Sequence, residues 1–285
     1  MPERPYLQLD VFAARPGTGN PLGVVPQAQD LDTAAMQALA AWLNLSETVF
    51  FLPPDQAGAD YRIRIFTPRM ELPFAGHPSV GAAWLAIESG LAAAPGAGGQ
   101  LLQQCAAGLL PVRASGDPGR RVVSVRSPAA RQLAVAPAVL APELAAIAVD
   151  EPSLWSNGPE WWLLEVAGEA ALRALQPDLA AIAALPRSGK LAVFAPAEGD
   201  GHQLVLRAFA PGAGIAEDPV TGSANALVAA LLQARGRLPG RGGRYVASQG
   251  RELGRDGHVE IRVDEDDEVW IGGQVQPVIE GRLHW

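Results

Sequence analysis

An α+β fold made of two pseudo-symmetric lobes is what the sequence predicts, on two observations. Strand-like and helix-like patterns alternate along the 285 residues, with short turns between them. A block of the first half is also echoed in the second. Arg64-Ile-Phe66-Thr-Pro68 leads to Phe74-Ala-Gly76-His77-Pro78-Ser-Val-Gly81-Ala82-Ala83. Arg207-Ala-Phe209-Ala-Pro211 leads to Ala216-Glu217-Asp218-Pro219-Val-Thr-Gly222-Ser223-Ala224. In each half a strand ending Arg-x-Phe-x-Pro runs through a loop into a helix that opens on a polar residue and a proline. A Gln and a Gly follow, at Gln104/Gly108 and Gln249/Gly250. Such self-similarity marks duplication, and a duplicated unit implies two lobes with a cleft between them for a small molecule. The boundary is expected in the Gly116–Gly119 turn or just past Pro128. We therefore place one lobe at residues 1–117 and the other at 118–285, with room for the C-terminal tail to pack on the first.

The elements follow in order. Leu7 to Ala13 and Leu22 to Pro26 read as strands around the turn Pro16-Gly17-Thr18-Gly19-Asn20-Pro21. Asp30 or Asp32 caps a helix whose Ala35, Leu39, Trp42 and Leu43 share a face. Strands follow at Thr48 to Leu52 and Tyr61 to Phe66. The next helix opens at Pro78, where a missing N–H costs nothing. Strands dominate from Leu101 to Val125.

Composition narrows the function classes. The chain is 48% hydrophobic and 18% charged, enough for one large core or two ordinary domains. No apolar run reaches the roughly 18 residues a membrane span needs, and the start Met-Pro-Glu-Arg-Pro lacks the features of a signal peptide. A net charge of −8 argues against a nucleic-acid partner. The six arginines from Arg235 to Arg255 and the acidic run Asp264 to Glu268 read as surface loops. A lone cysteine, Cys105, makes neither an internal disulfide nor a structural zinc site. A cytoplasmic protein is expected.

His77 and Asp218 hold equivalent places in the echo, each before a proline at a predicted helix start. Free backbone donors and aligned peptide dipoles there attract anions. Two such ends make a cradle for a carboxylate, and Gly76, Gly81 and Gly222 let backbone approach a ligand. An N-cap aspartate before proline is also an ordinary structural feature. Glu47, in Asn44-Leu-Ser-Glu47-Thr, precedes the apolar run Val49 to Leu52. Desolvation there would raise its pKa toward the range useful for acid–base work. On periodicity alone, a charged residue capping a surface strand is the stronger reading. Other signals are weaker. Gly17-Thr-Gly19 is followed by a strand, which is not dinucleotide geometry. Ser223 lacks a nucleophile elbow. His202, His258 and His284 show no metal-ligand spacing. Trp155, Trp161 and Trp162 read as packing, and Cys105 as a small hydrophobe.

Taken together, Gly19-Asn-Pro-Leu, Asn44-Leu-Ser-Glu47-Thr, Phe66-Thr-Pro, Glu71-Leu-Pro-Phe-Ala-Gly-His77-Pro and Glu217-Asp218-Pro-Val-Thr-Gly-Ser223-Ala resemble the PhzF-like family of the diaminopimelate-epimerase fold. Gln249-Gly, Gly254-Arg255 and Gly272-Gly273 extend the resemblance along nearly the whole chain. It implies two lobes, each a sheet or barrel wrapped around a central helix, with the active site between them. The epimerases start each central helix with a catalytic cysteine. Here the residues are His77 and Asp218, so a two-thiol mechanism is excluded. The resemblance implies an isomerase that moves a proton without metal or cofactor, on a substrate of the trans-2,3-dihydro-3-hydroxyanthranilate type. Glu47 would be the acid/base, and His77 and Asp218 would hold and polarise the substrate. Ser223 and backbone N–H groups near Gly76 and Gly222 would bind a carboxylate. It further implies a homodimer and a small-molecule carboxylate partner. The Trp-rich stretch from Leu154 to Trp162 departs from the expected pocket wall and points to a different ligand. The alternatives are epimerase or lyase chemistry on another small acid, and a non-catalytic ligand-binding scaffold.

Overall fold

The computed structural model describes residues 3–96, 99–199 and 201–285. The chain divides into two compact units, residues 1–126 with Gly272–Trp285, and Ser127–Ile271. The first begins with β1 (Glu3–Val11), β2 (Asn20–Val25), α1 (Thr33–Leu43), β3 (Glu47–Leu52) and β4 (Tyr61–Phe66). It continues with β5 (Glu71–Leu72), α2 (Gly76–Glu88), β6 (Leu101–Cys105), β7 (Gly108–Ser115) and β8 (Val122–Arg126). The second opens with β9 (Arg131–Gln132), α3 (Pro142–Ala145), β10 (Ser153–Ser156), β11 (Glu160–Glu165), α4 (Glu169–Ala174) and α5 (Leu179–Ala183). Then come β12 (Leu191–Gly199), β13 (His202–Ala210), β14 (Ile215–Asp218), α6 (Gly222–Ala234), β15 (Arg244–Gln249) and β16 (Gly257–Val263). The last strand, β17 (Val269–His284), returns the chain to the first unit.

In the first unit β1 pairs with β17 and β2, β2 runs parallel to β3, and β4 runs parallel to β6. Antiparallel pairs β3–β4, β6–β7 and β7–β8, with β8 against β17, close the ring. Helix α2 is buried almost all round, from Gly76 to Ala83 and at Leu85, Ala86 and Ile87. Its small residues, Gly81, Ala82, Ala83 and Ala86, let a helix fit where a sheet surrounds it. In the second unit α6 is equally enclosed, with Ala224 to Ala229 buried. The pairing of β10 with β11 is antiparallel, β11–β12 parallel, β12–β13 antiparallel, β13–β15 parallel and β15–β16 antiparallel. This is the order of β1 to β7 repeated. The predicted α+β architecture, two pseudo-symmetric units each built as a sheet around a helix, is the one observed.

One ion pair marks the repeat. Arg64 Nε and Nη2 donate to the two carboxylate oxygens of Glu71 at 2.7 and 2.6 Å. Arg207 does the same to Glu217 at 2.9 and 2.8 Å. Each guanidinium also lies over the phenylalanine two residues on, 5.0 Å from Phe66 and 4.9 Å from Phe209. Glu71 and Glu217 are therefore equivalent, and each stands five residues before its helix. The ungapped alignment this fixes differs from the one the motifs predict. Pro73 matches Pro219, Gly76 matches Gly222 and His77 matches Ser223. Asp218 matches Leu72.

Other expectations need correction. Helix α2 opens at Gly76, two residues before Pro78, and α6 opens at Gly222. Asp218 pairs with Ala208 at the end of β14 and is not a helix cap. The Gly116–Gly119 turn is the hairpin between β7 and β8 inside the first unit, so the boundary lies after Arg126, beside the alternative near Pro128, and the C-terminal residues pack with the first unit. In α1, capped by Asp32, the buried face is Met36, Leu39 and Ala40. Trp42 points outward, 72% exposed, near the ring of Trp285. Arg235 and Arg237 are more than loop charges, because both bond the buried carboxylate of Glu165.

The two copies of the clamp differ in burial. Arg207 is 4% exposed and also donates to the carbonyls of Leu172 and Leu175, whereas Arg64 is 21% exposed. Removing one partner of a buried pair strands the other. Arg207→Ala should therefore cost about 3–5 kcal/mol in chemical denaturation. Arg64→Ala should cost about 1 kcal/mol. Equal losses would mean that burial does not set the strength of the clamp.

Candidate active site

In the first unit the chain delivers Glu47 and His77 to one point. Asn44, at φ 53°, ends α1 in the left-handed conformation, with its N–H on the Ala40 carbonyl. Three residues later Glu47 opens β3 beside Leu22 of β2. His77 is the second residue of α2, and Gly81 lies one turn further on the same face. A Cβ on Gly81 would stand 2.5 Å from Leu22 Cδ2 and 3.0 Å from Val11 Cγ2. The missing side chain thus lets the helix settle against the strand row that carries Glu47. Oε2 of Glu47 lies 3.4 Å from Nε2 of His77, and both side chains are largely buried.

That separation is within ion-pair range, yet burial drives the His77 pKa down to about 3. The imidazole is neutral at ordinary pH, and the contact joins a carboxyl group to a neutral ring. Its place in the first turn of a helix disfavours a positive charge as well. The arrangement gives Glu47 an uncharged polar neighbour at 3.4 Å.

In the second unit Asp218, Thr221 and Gln249 form a connected group. Thr221 Oγ1 donates to Asp218 Oδ2 at 2.5 Å. Gln249 accepts from the Thr221 N–H and donates to the Asp218 carbonyl and to Thr221 Oγ1. Gln249 therefore pins the strand exit from which α6 starts. Ser223 is the second residue of α6, at the position His77 holds in α2. Its Oγ accepts from Trp161 Nε1 at 3.1 Å, and its carbonyl accepts from Asn157 Nδ2 at 3.2 Å. The serine O–H is left to donate. Gly76 and Gly222 are the buried first residues of the two helices, where backbone N–H groups lack internal partners. Among the described residues no three His, Cys, Asp or Glu side chains converge as a metal site.

Three contributors were not visible in the sequence pattern. Trp161 bonds the Ser223 hydroxyl, where packing was expected. Asn157 sits in a turn with no periodic signal. Thr221 reads as an ordinary cap residue. Gln249 was visible through the echo, but its counterpart by contact is Gln103, which reaches Ser79, the fourth residue of α2, as Gln249 reaches Asn225, the fourth of α6. Gln104 instead accepts from the backbone of Asp55 and Gln56.

The His77 shift makes stability depend on pH. The folded pKa lies below the ordinary value of 6.5, so the unfolded chain binds the extra proton between those limits. The contribution of a neutral His77 is fully present above pH 6.5 and is lost as pH falls toward 3, on the order of a few kcal/mol. Denaturation midpoints measured from pH 7 to pH 4 should fall less for His77→Asn than for the native chain. Parallel curves would show that His77 titrates freely.

The sequence of residues 9–281 matches the family model for phenazine biosynthesis-like proteins, PhzC-PhzF. A curated relative, trans-2,3-dihydro-3-hydroxyanthranilate isomerase of Pseudomonas aeruginosa, is 35% identical over 98% of this chain and 99% of its own. A Bacillus anthracis phenazine biosynthesis protein of the PhzF family superposes with a TM-score of 0.84 over the full length of both chains, at 23% identity. A probable proline racemase of Agrobacterium radiobacter shares the fold at a TM-score of 0.68 and 14% identity, over 99% of this chain and 93% of its own. No helix among the described residues is long and apolar enough to cross a membrane. A match that runs through the Glu47, His77 and Asp218 blocks, on a duplicated fold, has one consequence: the chain belongs to the PhzC-PhzF family and is an isomerase of that family.

Proposed function

We propose that this isomerase relocates a proton within a small carboxylate-bearing metabolite of the trans-2,3-dihydro-3-hydroxyanthranilate type, with Glu47 as the group that carries the proton. The observation that supports this reading is the 3.4 Å approach of Glu47 to a buried, neutral His77. A carboxylate so placed takes a proton from one substrate carbon and returns it to another, ending in its starting state. His77, uncharged, stands beside the carboxyl group and does not compete for the proton. Asp218 and Ser223, with the backbone N–H groups at Gly76 and Gly222, are assigned to the polar groups of the substrate. Such a transfer uses no metal or cofactor. The family resemblance adds a homodimer to the proposal. The named substrate belongs to a relative 35% identical, so the same chemistry on another small acid is the second reading, favoured by Trp161 at Ser223.

Incubation with the dihydro-hydroxyanthranilate in heavy water should place deuterium at the carbon that receives the proton. Glu47→Gln should lower kcat by about 10²- to 10⁴-fold while the fold is kept. Undiminished turnover in Glu47→Gln would remove the base. Absence of turnover by the native chain, with exchange on other small acids, would select the second reading.

A further inference from the structure

The strand registers that define the repeat identify a second charged residue. Antiparallel pairing sets Thr48 opposite Phe66 in the first unit and Leu191 opposite Phe209 in the second. Phe66 and Phe209 are equivalents through the arginine clamps beneath which they lie. The residue before Thr48 is Glu47, and the residue before Leu191 is Lys190. The parallel neighbours agree, because Leu22 pairs with Glu47 and Trp162 with Leu191, which places Trp161 in the row of Lys190. Lys190 thus occupies in the second unit the place that Glu47 occupies in the first.

We propose that Lys190 is a substrate-positioning residue that receives an anionic group, a carboxylate, alongside the Ser223 hydroxyl. Its ammonium makes no ion pair within 4 Å among the described residues and lies 4.7 Å from the centroid of the Trp161 ring. The same indole donates its N–H to Ser223 Oγ, so one ring separates the cation from the free serine O–H. Glu160, one candidate partner, is already held by two donors of Arg187. Asp218 is engaged by Thr221. What converges on the start of α6 is therefore a cation, a hydroxyl donor and backbone N–H groups with no side-chain cap from Thr221, the donor set that a carboxylate satisfies. Burial lowers the Lys190 pKa, while Glu160 and Asp218 oppose that shift, so an incoming anion would restore the stability of the charged form.

The residue type points the same way. Lys190 is the one lysine among the 22 Lys and Arg of the chain. Every other member of that set is an arginine. A lysine supplies a compact point charge on a flexible stem, suited to meeting a ligand oxygen that arrives and leaves.

The proposal rests on the isomerase reading above only for the choice of ligand, and its test does not require turnover. Reductive methylation with isotope-labelled formaldehyde marks Lys190 and the terminal amine alone and preserves the charge. The Lys190 methyl resonance should shift on adding anthranilate and stay in place with anthranilamide, which has the ring but no carboxylate. No movement, or equal movement with both, overturns the proposal. In the steady state Lys190→Met should raise KM for the carboxylate substrate about tenfold or more with kcat within about threefold, and Lys190→Arg should restore part of the loss. A loss confined to kcat would instead make Lys190 a proton carrier and overturn the positioning role. Loss of deuterium incorporation in the native chain would sink the isomerase reading while leaving the resonance test standing.

Discussion

The bidentate contact between an arginine on one strand and a glutamate just before the central helix is the constraint from which the rest of the structure follows. A helix enclosed by a sheet has to be entered from the rim, and the entry point decides which residues fall in its first turn. Arg64–Glu71 and Arg207–Glu217 fix that entry, because a planar fork meeting a planar carboxylate permits little rotation. Five residues later each helix begins, so the second helical residue, His77 or Ser223, is placed by a contact that touches no substrate. The loop between clamp partners is free to vary. Arg64 and Glu71 are 7 residues apart, and Arg207 and Glu217 are 10. The insertion is absorbed before the glutamate, and the segment that carries chemistry keeps its length.

Much of this was legible in the amino acids. The repeat, the strand-to-helix order and the blocks around Glu47, His77 and Asp218 all came from residue types at fixed spacing. Proline is a misleading anchor for the repeat. His77-Pro78 and Asp218-Pro219 look alike in sequence, but Pro78 is the third residue of a helix and Pro219 follows a strand. The glutamates five residues upstream of the helices are the true anchor, and a charge partner 7 or 10 residues away is invisible without the strand register. The same limit hid Lys190. Strand pairing preserves register, while only Arg-x-Phe-x-Pro was preserved as letters, so a Glu and a Lys in equivalent rows carry no shared signal. The outward position of Trp42 has a simpler reason. A face containing Leu39 and Leu43 also contains Met36 and Ala40 at helical spacing, and 100° per residue places Trp42 at its edge.

Divergence between the copies is electrostatic more than steric. Both helix starts lie where free N–H groups and the helix dipole favour negative charge. A permanent cation at the second helical position would oppose that field and lose hydration on burial. The first copy meets this with a histidine that burial keeps neutral, and the second with a serine. Charge is moved instead to the strand row beside the helix, negative at Glu47 and positive at Lys190. A carboxylate beside a neutral imidazole is suited to exchange a proton, since the ring adds no fixed positive charge. An ammonium beside an indole face and a hydroxyl is fitted to hold an anion, because it stays charged when the anion arrives. From one ancestral row, duplication followed by a change of sign leaves a carboxylate in one unit and an ammonium in the other, the difference on which the proposed division between proton transfer and acid binding rests.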